Sequence, residues 1–248
     1  MRLGEGYVPT RKVGYLYPQR ILDYGPYEFY HMVPDRVLIV GIPVGLTEFS
    51  VEEVDRVYAP IEKLCNLLVE RHVDIIVQGG APLAVILRRE GLRRLLDHIE
   101  SYTKLPATSG ILCCMEAAKA LGVKKIAVIN KWNQSMNDSL AEFFAAIGVT
   151  VAGTTSRSLQ PTQFNKLTTD ESVNLSYQLG RTALEAHPDA DALYIGGGAW
   201  LTLPAVLQLE KDFGKPVIAQ QPATAWHVCK MLDYWQPKKD MGTVLALP

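Results

Sequence analysis

Short apolar runs alternate with longer amphipathic segments along most of this chain. Runs such as DIIV (74–77) and IAVI (126–129) are almost entirely apolar, which is typical of parallel strands that are buried on both faces. The segments between them are ten or more residues long and space their apolar positions as helices do. The pattern predicts βαβ units, and therefore an α/β fold with mainly parallel sheets flanked by helices.

The same pattern places the individual elements. The predicted strands are RVLIVGIPV (36–44), DIIVQ (74–78), KKIAVIN (124–130), VTVAGTTS (149–156), ADALYI (190–195) and PVIAQQ (216–221). The predicted helices cover residues 50–73, 84–103, 111–122, 137–148, 170–187 and 204–214. Ser50, followed three residues later by Glu53, forms a capping-box pattern at the start of the first of these helices.

One sequence pattern occurs twice. VDIIVQGGAPLAVI begins at Val73 and ADALYIGGGAWLTL begins at Ala190. Each contains an aspartate, an apolar run, a glycine cluster and a segment able to open a helix. Asp74 and Asp191 therefore hold equivalent places about half a chain apart, which indicates two related lobes. Both glycine clusters fall at the carboxyl ends of predicted strands, where open α/β sheets bind their ligands.

We expect the two glycine clusters to face each other and to hold a small carboxylate through backbone N–H groups. Glycine lets the main chain approach an anion closely. The alternative is that these glycines only permit tight strand-to-helix turns. Neither cluster has the spacing of a dinucleotide fingerprint or a P-loop. The predicted substrate-binding residues are Gly79, Gly80, Ala81 and Pro82 in the first cluster and Gly196, Gly197 and Gly198 in the second.

Composition excludes several other classes of function. With 48% hydrophobic residues, 21% charged residues and a net charge of -1, the chain has no electrostatic signature of a nucleic-acid or membrane partner. It contains no apolar stretch near the roughly 20 residues of a membrane span, and its first residues lack an apolar signal core. A cytoplasmic protein is expected. The four cysteines show no metal-type pairing, so no metal site is predicted.

Several segments, in this order and spacing, resemble the aspartate/glutamate racemase superfamily, particularly the branch of arylmalonate decarboxylase and maleate cis–trans isomerase. The resemblance implies two pseudo-symmetric α/β lobes with the active site between them. Residues 1–110 and 216–248 would form the first lobe, and residues 111–215 the second. The segments that carry the resemblance are GYLYP (14–18), YEFYHMVPDRV (27–37), DIIVQGG (74–80), ALGVKKIAVINKW (120–132), GGGAWLTLPAV (196–206) and PVIAQQPATAW (216–226).

The resemblance also implies a cysteine at the strand end of one or both lobes, and this chain departs from that pattern. The first position falls on Gly79 and the second within 196–198. Two-thiol racemisation is therefore not expected. Malonate-type decarboxylation can break its C–C bond without a thiol, because one carboxylate is held while the other is desolvated. The leading hypothesis is a cofactor-independent, decarboxylase-type lyase acting on a small, substituted malonate-like or related carboxylic acid.

Candidate acids and bases come from two places in the chain, Lys131 and the pair Tyr15 and Tyr17, and Trp132 beside the lysine is a candidate substrate-binding residue. Lys131 follows the KKIAVIN strand, where desolvation would lower the pKa of its amine, unless it is a surface lysine at a loop start. Trp132 takes the position at which related enzymes carry a carboxylate-binding tyrosine. Tyr15 and Tyr17 lie on the same side of a strand and are candidate proton donors.

Amide side chains complete the predicted site. Gln19 is the amide nearest the first-lobe strand, and Gln220 and Gln221 follow the last apolar run. These last two residues either orient the substrate or cap the helix after them.

Two other functions stay open. One is an isomerase or another lyase that acts on a small dicarboxylate and uses Lys131 or a tyrosine in place of cysteine. The other is a non-catalytic carboxylate-binding protein. The tail, YWQPKKDMGTVLALP (234–248), ends in apolar residues, so it adds a strand or docks on a neighbouring copy, and a homo-oligomer is compatible with it.

Overall fold

The computed structural model describes residues 6–248 and contains two parallel four-stranded sheets. In the first sheet the strand order is β2-β1-β3-β4, and in the second it is β6-β5-β7-β8. The predicted α/β class with two parallel sheets is confirmed. The strands are β1 (Arg11–Tyr17), β2 (Val37–Pro43), β3 (Ile75–Gln78), β4 (Ala107–Ser109), β5 (Lys125–Asn130), β6 (Thr150–Ser156), β7 (Ala192–Ile195) and β8 (Val217–Ala219).

Helices connect and flank these strands. None of those in the described residues combines the length and apolar character that crossing a bilayer requires. The helices are α1 (Tyr24–Met32), α2 (Val51–Tyr58), α3 (Ile61–Glu70), α4 (Ala81–Thr103), α5 (Gly110–Ala120), α6 (Gln134–Ala145), α7 (Pro161–Phe164), α8 (Thr169–Ala186), α9 (Leu203–Phe213) and α10 (Gln220–Met231).

The two sheets are built alike, and the repeated aspartates show why. Asp74 accepts a hydrogen bond of 2.7 Å from the N–H of Lys12 at the start of β1. Asp191 accepts bonds of 2.8 Å from the N–H groups of Lys124 and Lys125 at the start of β5. Each carboxylate therefore fixes the beginning of the neighbouring central strand, which explains one part of the repeated sequence pattern.

Two predicted helices differ from the structure. The helix predicted over 50–73 is divided into α2 and α3 at Pro60, which has no N–H to continue the hydrogen-bond ladder. Its start is as predicted, because the Ser50 hydroxyl accepts from the N–H of Glu53. Helix α4 has a kink at Arg88, whose φ is 58°. Near this kink the carbonyl of Val85 accepts a 2.6 Å bond from the Ser139 hydroxyl.

The end of the chain divides between the lobes differently from the expected boundary at residue 216. Strand β8 pairs with β7 in the second sheet, so residues 217–219 do not belong to the first lobe. Helix α10 then packs against α5 and α1. Gln220 and Gln221, predicted to end this strand, instead open α10. Assignment of the rest of the segment to the first lobe stays a proposal.

The hydrophobic core has a shared part and two separate parts. One cluster contains buried residues from both sheets, among them Tyr15, Val77, Val128 and Tyr194. A second cluster lies around α2, α3 and α4, and a third around α8 and α9. The shared cluster joins the two sheets and holds the carboxyl ends of their strands near one another.

Candidate active site

The two glycine clusters have matching backbone geometry. The N–H of Gly79 donates to the carbonyl of Leu16 at 2.9 Å, and the N–H of Gly196 donates to that of Ile129 at 2.8 Å. Each of these glycines is followed by one with a positive φ, 83° at Gly80 and 89° at Gly197. These conformations favour glycine. The clusters therefore do serve as strand-end turns, as the simpler interpretation held.

The clusters also lie close to each other, and Gln220 connects them. Its side-chain oxygen accepts a 3.1 Å bond from the N–H of Ala81 in the first cluster. A Cβ placed on Gly198 in the second cluster would lie 3.2 Å from the Gln220 amide nitrogen and 3.2 Å from that of Gln221. The carboxyl ends of β3 and β7 therefore both lie close to the N-terminus of α10.

A small cavity of about 30 Å³ lies between the clusters. That volume holds about two or three water-sized atoms, enough for the oxygens of one carboxylate. Predicted site residues in its wall are Gln19, Gly80, Pro82, Lys131, Trp132, Gly197 and Gly198. Most of the other wall residues lie in loops without a periodic pattern and were not predicted from the sequence. They are Pro18, Leu46, Phe49, Pro161, Phe164, Asn165 and Ala199.

Three glycines in the cavity wall differ from their neighbours in their main-chain N–H groups. Within residues 6–248, the N–H groups of Gly80, Gly197 and Gly198 have no hydrogen-bond partner. The N–H groups of Gly79 and Ala81 were predicted donors too, but they are already used, by Leu16 and Gln220 respectively. The predicted donors that have no partner in the described residues are therefore fewer than expected, and they come from both glycine clusters.

Lys131 is the one ionisable residue among those that line this cavity. It follows β5 directly and is only 1% exposed, and its Nζ has no hydrogen-bond partner in the described chain. The nitrogen lies 3.9 Å from the ring centre of Trp200 and 4.3 Å from that of Phe164. Burial lowers the pKa of this amine well below its ordinary value. Lys131 is therefore not a surface lysine.

Trp132 is fixed beside this lysine by polar contacts of its main chain. Its N–H donates to the side-chain oxygen of Asn130 at 2.9 Å, and its carbonyl accepts a 2.6 Å bond from the Ser156 hydroxyl. The indole of Trp132 is close to the second cluster, since a Cβ on Gly197 would lie 3.6 Å from its ring. The side chain thus forms a rigid wall of the cavity.

Tyr15 and Tyr17 lie on the same side of β1, as predicted, with ring centroids 4.0 Å apart. Neither lines the cavity. Burial raises the pKa of both hydroxyls, which makes them poor proton donors. The Tyr15 ring instead fills the space beside Gly79, where a Cβ would overlap it. The geometry therefore gives no support to the catalytic role predicted for these two tyrosines.

Other predicted residues have supporting positions. Gly79, Ala81, Gly196, Gln220 and Gln221 are all outside the cavity wall. The four cysteines are buried in helices α3, α5 and α10 and do not line the cavity either. In residues 6–248 no group of three or more His, Cys, Asp or Glu side chains is arranged to hold a metal ion.

Two parallel sheets whose strand ends meet at a carboxylate-sized cavity place this protein in the aspartate/glutamate racemase superfamily, in the branch of arylmalonate decarboxylase and maleate isomerase. Within that branch, the chain belongs to the arylmalonate decarboxylase family, whose family model matches residues 24–245. The resemblance inferred from the sequence motifs is thereby confirmed.

Individual relatives agree with this assignment. Arylmalonate decarboxylase from Bordetella bronchiseptica is 26% identical over 200 residues, which are 81% of this chain and 82% of that enzyme. A liganded double mutant of arylmalonate decarboxylase has a TM-score of 0.84 at 20% identity, with 95% of this chain and 98% of that one covered. A variant of maleate isomerase from Pseudomonas putida with maleate has a TM-score of 0.82 at 17% identity, covering 95% and 97%. The relatives are enzymes, so the family supports decarboxylase or isomerase activity on small carboxylic acids.

Proposed function

We propose that this protein is a cofactor-independent lyase that removes one carboxylate of a small malonate-like or related acid as carbon dioxide. The observation that carries the proposal is the cavity between the two glycine clusters, in which three free main-chain N–H groups and one buried amine surround a small volume. Membership of the arylmalonate decarboxylase family supports the same reaction.

The N–H groups of Gly80, Gly197 and Gly198 bind the carboxylate that the substrate keeps. When carbon dioxide leaves, the electron pair of the broken C–C bond spreads into this retained carboxylate as an enediolate. Fixed donors in a water-excluded site stabilise such developing charge strongly, because they need no reorganisation during the reaction. The same three groups therefore serve both binding and bond cleavage.

The departing carboxylate lies against the apolar part of the wall, formed by Leu46, Phe49 and Phe164. A carboxylate loses hydration there and gains no ion-pair partner, and loss of carbon dioxide relieves that cost. The N–H donors thus bind the carboxylate that is retained, and the apolar wall beside them contacts the carboxylate that leaves.

Lys131 handles the proton. Burial lowers the pKa of its amine, and a substrate carboxylate beside it raises that pKa again, since an opposite charge favours the ammonium form. The ammonium then protonates the carbanion after carbon dioxide has left. This role replaces the thiol that the chain lacks at both strand ends.

The substituent of the substrate extends into a larger outer chamber of about 580 Å³. This chamber and the cavity share six lining residues, which are Gln19, Leu46, Pro161, Phe164, Asn165 and Ala199. Arg20 and Lys166 in its wall outnumber the single acidic residue, Asp23, so that the entrance favours anions. The substrate enters from this side.

A substrate panel in deuterated water tests the proposal. The protein is incubated with substituted malonates, 3-oxo acids and maleate-like acids, while carbon dioxide release and deuterium uptake are followed together. Release of carbon dioxide with one deuterium in the product is the expected result. Deuterium exchange without carbon dioxide would point to an isomerase instead, and binding without turnover would point to a non-catalytic carboxylate-binding protein.

The variant Lys131→Met tests the role of the amine within the active protein. We expect product formation to fall at least about a hundredfold, the usual contribution of a positioned proton donor. The control is Lys125→Met, which removes an exposed lysine from the start of the same strand. Equal rates for both variants would contradict the role of Lys131.

A further inference from the structure

Trp200 lies directly behind the second glycine cluster. Its side chain is fully buried in the hydrophobic cluster around α8 and α9, and it is not among the described residues that line the cavity. The indole N–H donates a 2.9 Å hydrogen bond to the carbonyl of Gly197, and the ring centre lies 3.9 Å from Lys131 Nζ. Trp200 therefore contacts both a peptide group and the amine on which the proposed mechanism depends.

We infer that Trp200 is a positioning residue of this site, which orients the N–H of Gly198 through its indole N–H and places the amine of Lys131 through its ring. The inference rests on the proposed decarboxylase function and adds to it a residue outside the cavity wall. Trp200 does not touch the substrate and is therefore not a catalytic residue. It acts through two groups that do.

The hydrogen bond to Gly197 determines where the next N–H points. The carbonyl of Gly197 and the N–H of Gly198 belong to one planar trans peptide group, so they point in opposite directions. Trp200 holds the carbonyl on the side of α8 and α9, and the N–H of Gly198 is thereby directed to the other side, where Gly198 lines the cavity. This N–H has no partner of its own in residues 6–248.

The segment that carries Trp200 is itself fixed by hydrogen bonds. The N–H of Leu201 donates to the hydroxyl of Ser172 on α8 at 3.2 Å, and the N–H of Thr202 donates to Glu28 at 2.8 Å. The glycines before it have no side chains that could restrict their backbone, and glycine has more backbone freedom than any other residue. The indole of Trp200 therefore supplies from a fixed segment the restraint that the second glycine cluster lacks.

The ring of Trp200 places Lys131 without using a polar contact. Lys131 Nζ lies over the faces of Trp200 and Phe164 and has no hydrogen-bond partner in the described chain. An aromatic face attracts an ammonium group and leaves its N–H groups available to the substrate. Burial lowers the pKa of this amine, no charged group of the described residues contributes to the change, and the two rings oppose it.

Trp200→Phe tests the indole N–H, because it keeps an aromatic ring at this position. We expect kcat/KM for the fastest malonate of the panel to fall about tenfold, since the carbonyl of Gly197 loses a buried hydrogen bond. The dissociation constant of phenylacetate, which carries the one carboxylate that phenylmalonate would keep, should rise by a similar factor in calorimetric titrations. The alkaline limb of the pH–rate profile should stay where it is.

Trp226→Phe is the matched control. Trp226 is also buried, donates its indole N–H to a main-chain carbonyl, that of Pro248, and has Lys230 over its ring. It does not line the cavity. Both phenylalanine variants should lose a similar amount of thermal stability, while the control keeps its kinetics and its affinity for phenylacetate. Equal kinetics and equal affinities in the two variants would overturn the role of the indole N–H.

Trp200→Leu removes the ring as well and tests the second contact. Lys131 donates its proton as an ammonium group, so activity is lost as pH rises through the pKa of its amine. Without the aromatic face that pKa is lower, and the alkaline limb should lie about one pH unit below that of Trp200→Phe. If the leucine variant does not fold, Trp200→Met replaces it, because methionine fills irregular space without an aromatic face. Limbs at the same pH would overturn the role of the ring.

The outcomes separate the inference from the function on which it rests. If malonates release carbon dioxide while the Trp200 variants match Trp226→Phe in kinetics, affinity and pH limb, the positioning role fails and the lyase stands. If no malonate releases carbon dioxide, the proposed function fails, and the affinity for phenylacetate still decides whether the indole N–H orients a donor for a carboxylate. In that case, an unmodified protein that does not bind phenylacetate would overturn the inference as well.

Discussion

At the scale of single residues, the site depends on main-chain groups that glycine makes available. Gly80 and Gly197 both have positive φ and line the cavity, and we propose that their N–H groups bind the substrate carboxylate. A Cβ on Gly80 would come within 2.6 Å of Pro18, whereas the space beside Gly197 is open to 3.6 Å. Substitution at 197 therefore tests backbone conformation without a steric clash.

Gly197→Ala should reduce kcat/KM about tenfold. Alanine holds this φ at a cost of about 1–2 kcal/mol, so conformations that turn the N–H away from the cavity gain population, and 1.4 kcal/mol corresponds to a tenfold change in rate. Gly148→Ala is the matched control, because Gly148 has a φ of 74° with no atom within 4 Å of a Cβ. Steady-state kinetics and urea unfolding of both variants check this. We expect both variants to lose a similar amount of stability, whereas only Gly197→Ala should also lose kcat/KM.

The sequence indicated which glycines matter but not which of their N–H groups are free. That distinction depends on the partners of Gly79 and Ala81, and Gln220 lies 139 residues from Ala81 in the chain. Alternation correctly put Tyr15 and Tyr17 on one side of a strand, yet it carries no information on whether that side faces the cavity. The apolar neighbours of Lys131 Nζ, Phe164 and Trp200, come from distant segments and could not be predicted from the local sequence either.

At the scale of elements, a buried glutamate joins the two lobes. Glu28 on α1 accepts hydrogen bonds from the N–H groups of Thr202 and Leu203 at 2.8 Å and 2.7 Å. It therefore caps α9, whose own N-cap side chain makes no such bond. Burial raises the pKa of Glu28 to about 7, although these donors oppose the change. The contact also anchors the segment that follows the second glycine cluster.

Glu28→Gln should make stability depend less on pH. Because its pKa rises from 4.5 to about 7 on folding, the folded state binds the proton more tightly. The associated stability is complete below about 4.5 and is lost as pH rises through about 7. A pKa difference of this size corresponds to about 3 kcal/mol in the free energy of unfolding. Between these pH values, the free energy of unfolding in urea should depend less on pH for Glu28→Gln than for the unmodified protein. The control is Glu52→Gln at an exposed position, whose pH profile should run parallel to that of the unmodified protein. A parallel profile for Glu28→Gln would contradict this assignment.

Helical periodicity found the segments at 50–73 and 84–103 but not their internal breaks. The division at Pro60 was readable in principle, because proline interrupts the hydrogen-bond ladder. The kink at Arg88 was not, since a positive φ in an arginine has no local signature, and the Ser139 hydroxyl near it comes from another helix. A helix break that is stabilised by contacts with distant segments cannot be predicted from the local sequence pattern.

At the scale of the whole molecule, the two sheets share one hydrophobic cluster. Buried residues from β1 and β3 of the first sheet join residues from β5, β7 and β8 of the second. The cavity lies where these sheets meet, so neither lobe forms it alone. Loss of either sheet would expose apolar surface on the other.

This shared core predicts that the protein unfolds in a single transition. Urea titrations followed by far-UV circular dichroism and by tryptophan fluorescence should coincide, because the separation of two lobes with independent cores would give different midpoints. Two resolved transitions would show that the shared cluster does not couple the lobes. Among the four tryptophans, Trp132 lines the cavity and Trp200 is buried in the cluster around α8 and α9.

The two-lobed plan was predictable because the glycine pattern repeats with its aspartate. The boundary near residue 216 was not, because β8 is a strand of three residues that pairs with β7. A short apolar run does not reveal which of two similar sheets it joins. Symmetry was therefore visible in the sequence, while the assignment of the last strand required the pairing itself.

If peptide groups anchor the acid, as we propose, two kinds of sequence change become separable. Every amino acid except proline carries the donor, so replacements among the aromatic and aliphatic neighbours, such as Phe49 and Leu46, leave the grip at Gly80 and Gly197 intact. The preference for one substituent over another is thus free to drift while the attachment of the acid group is inherited unchanged.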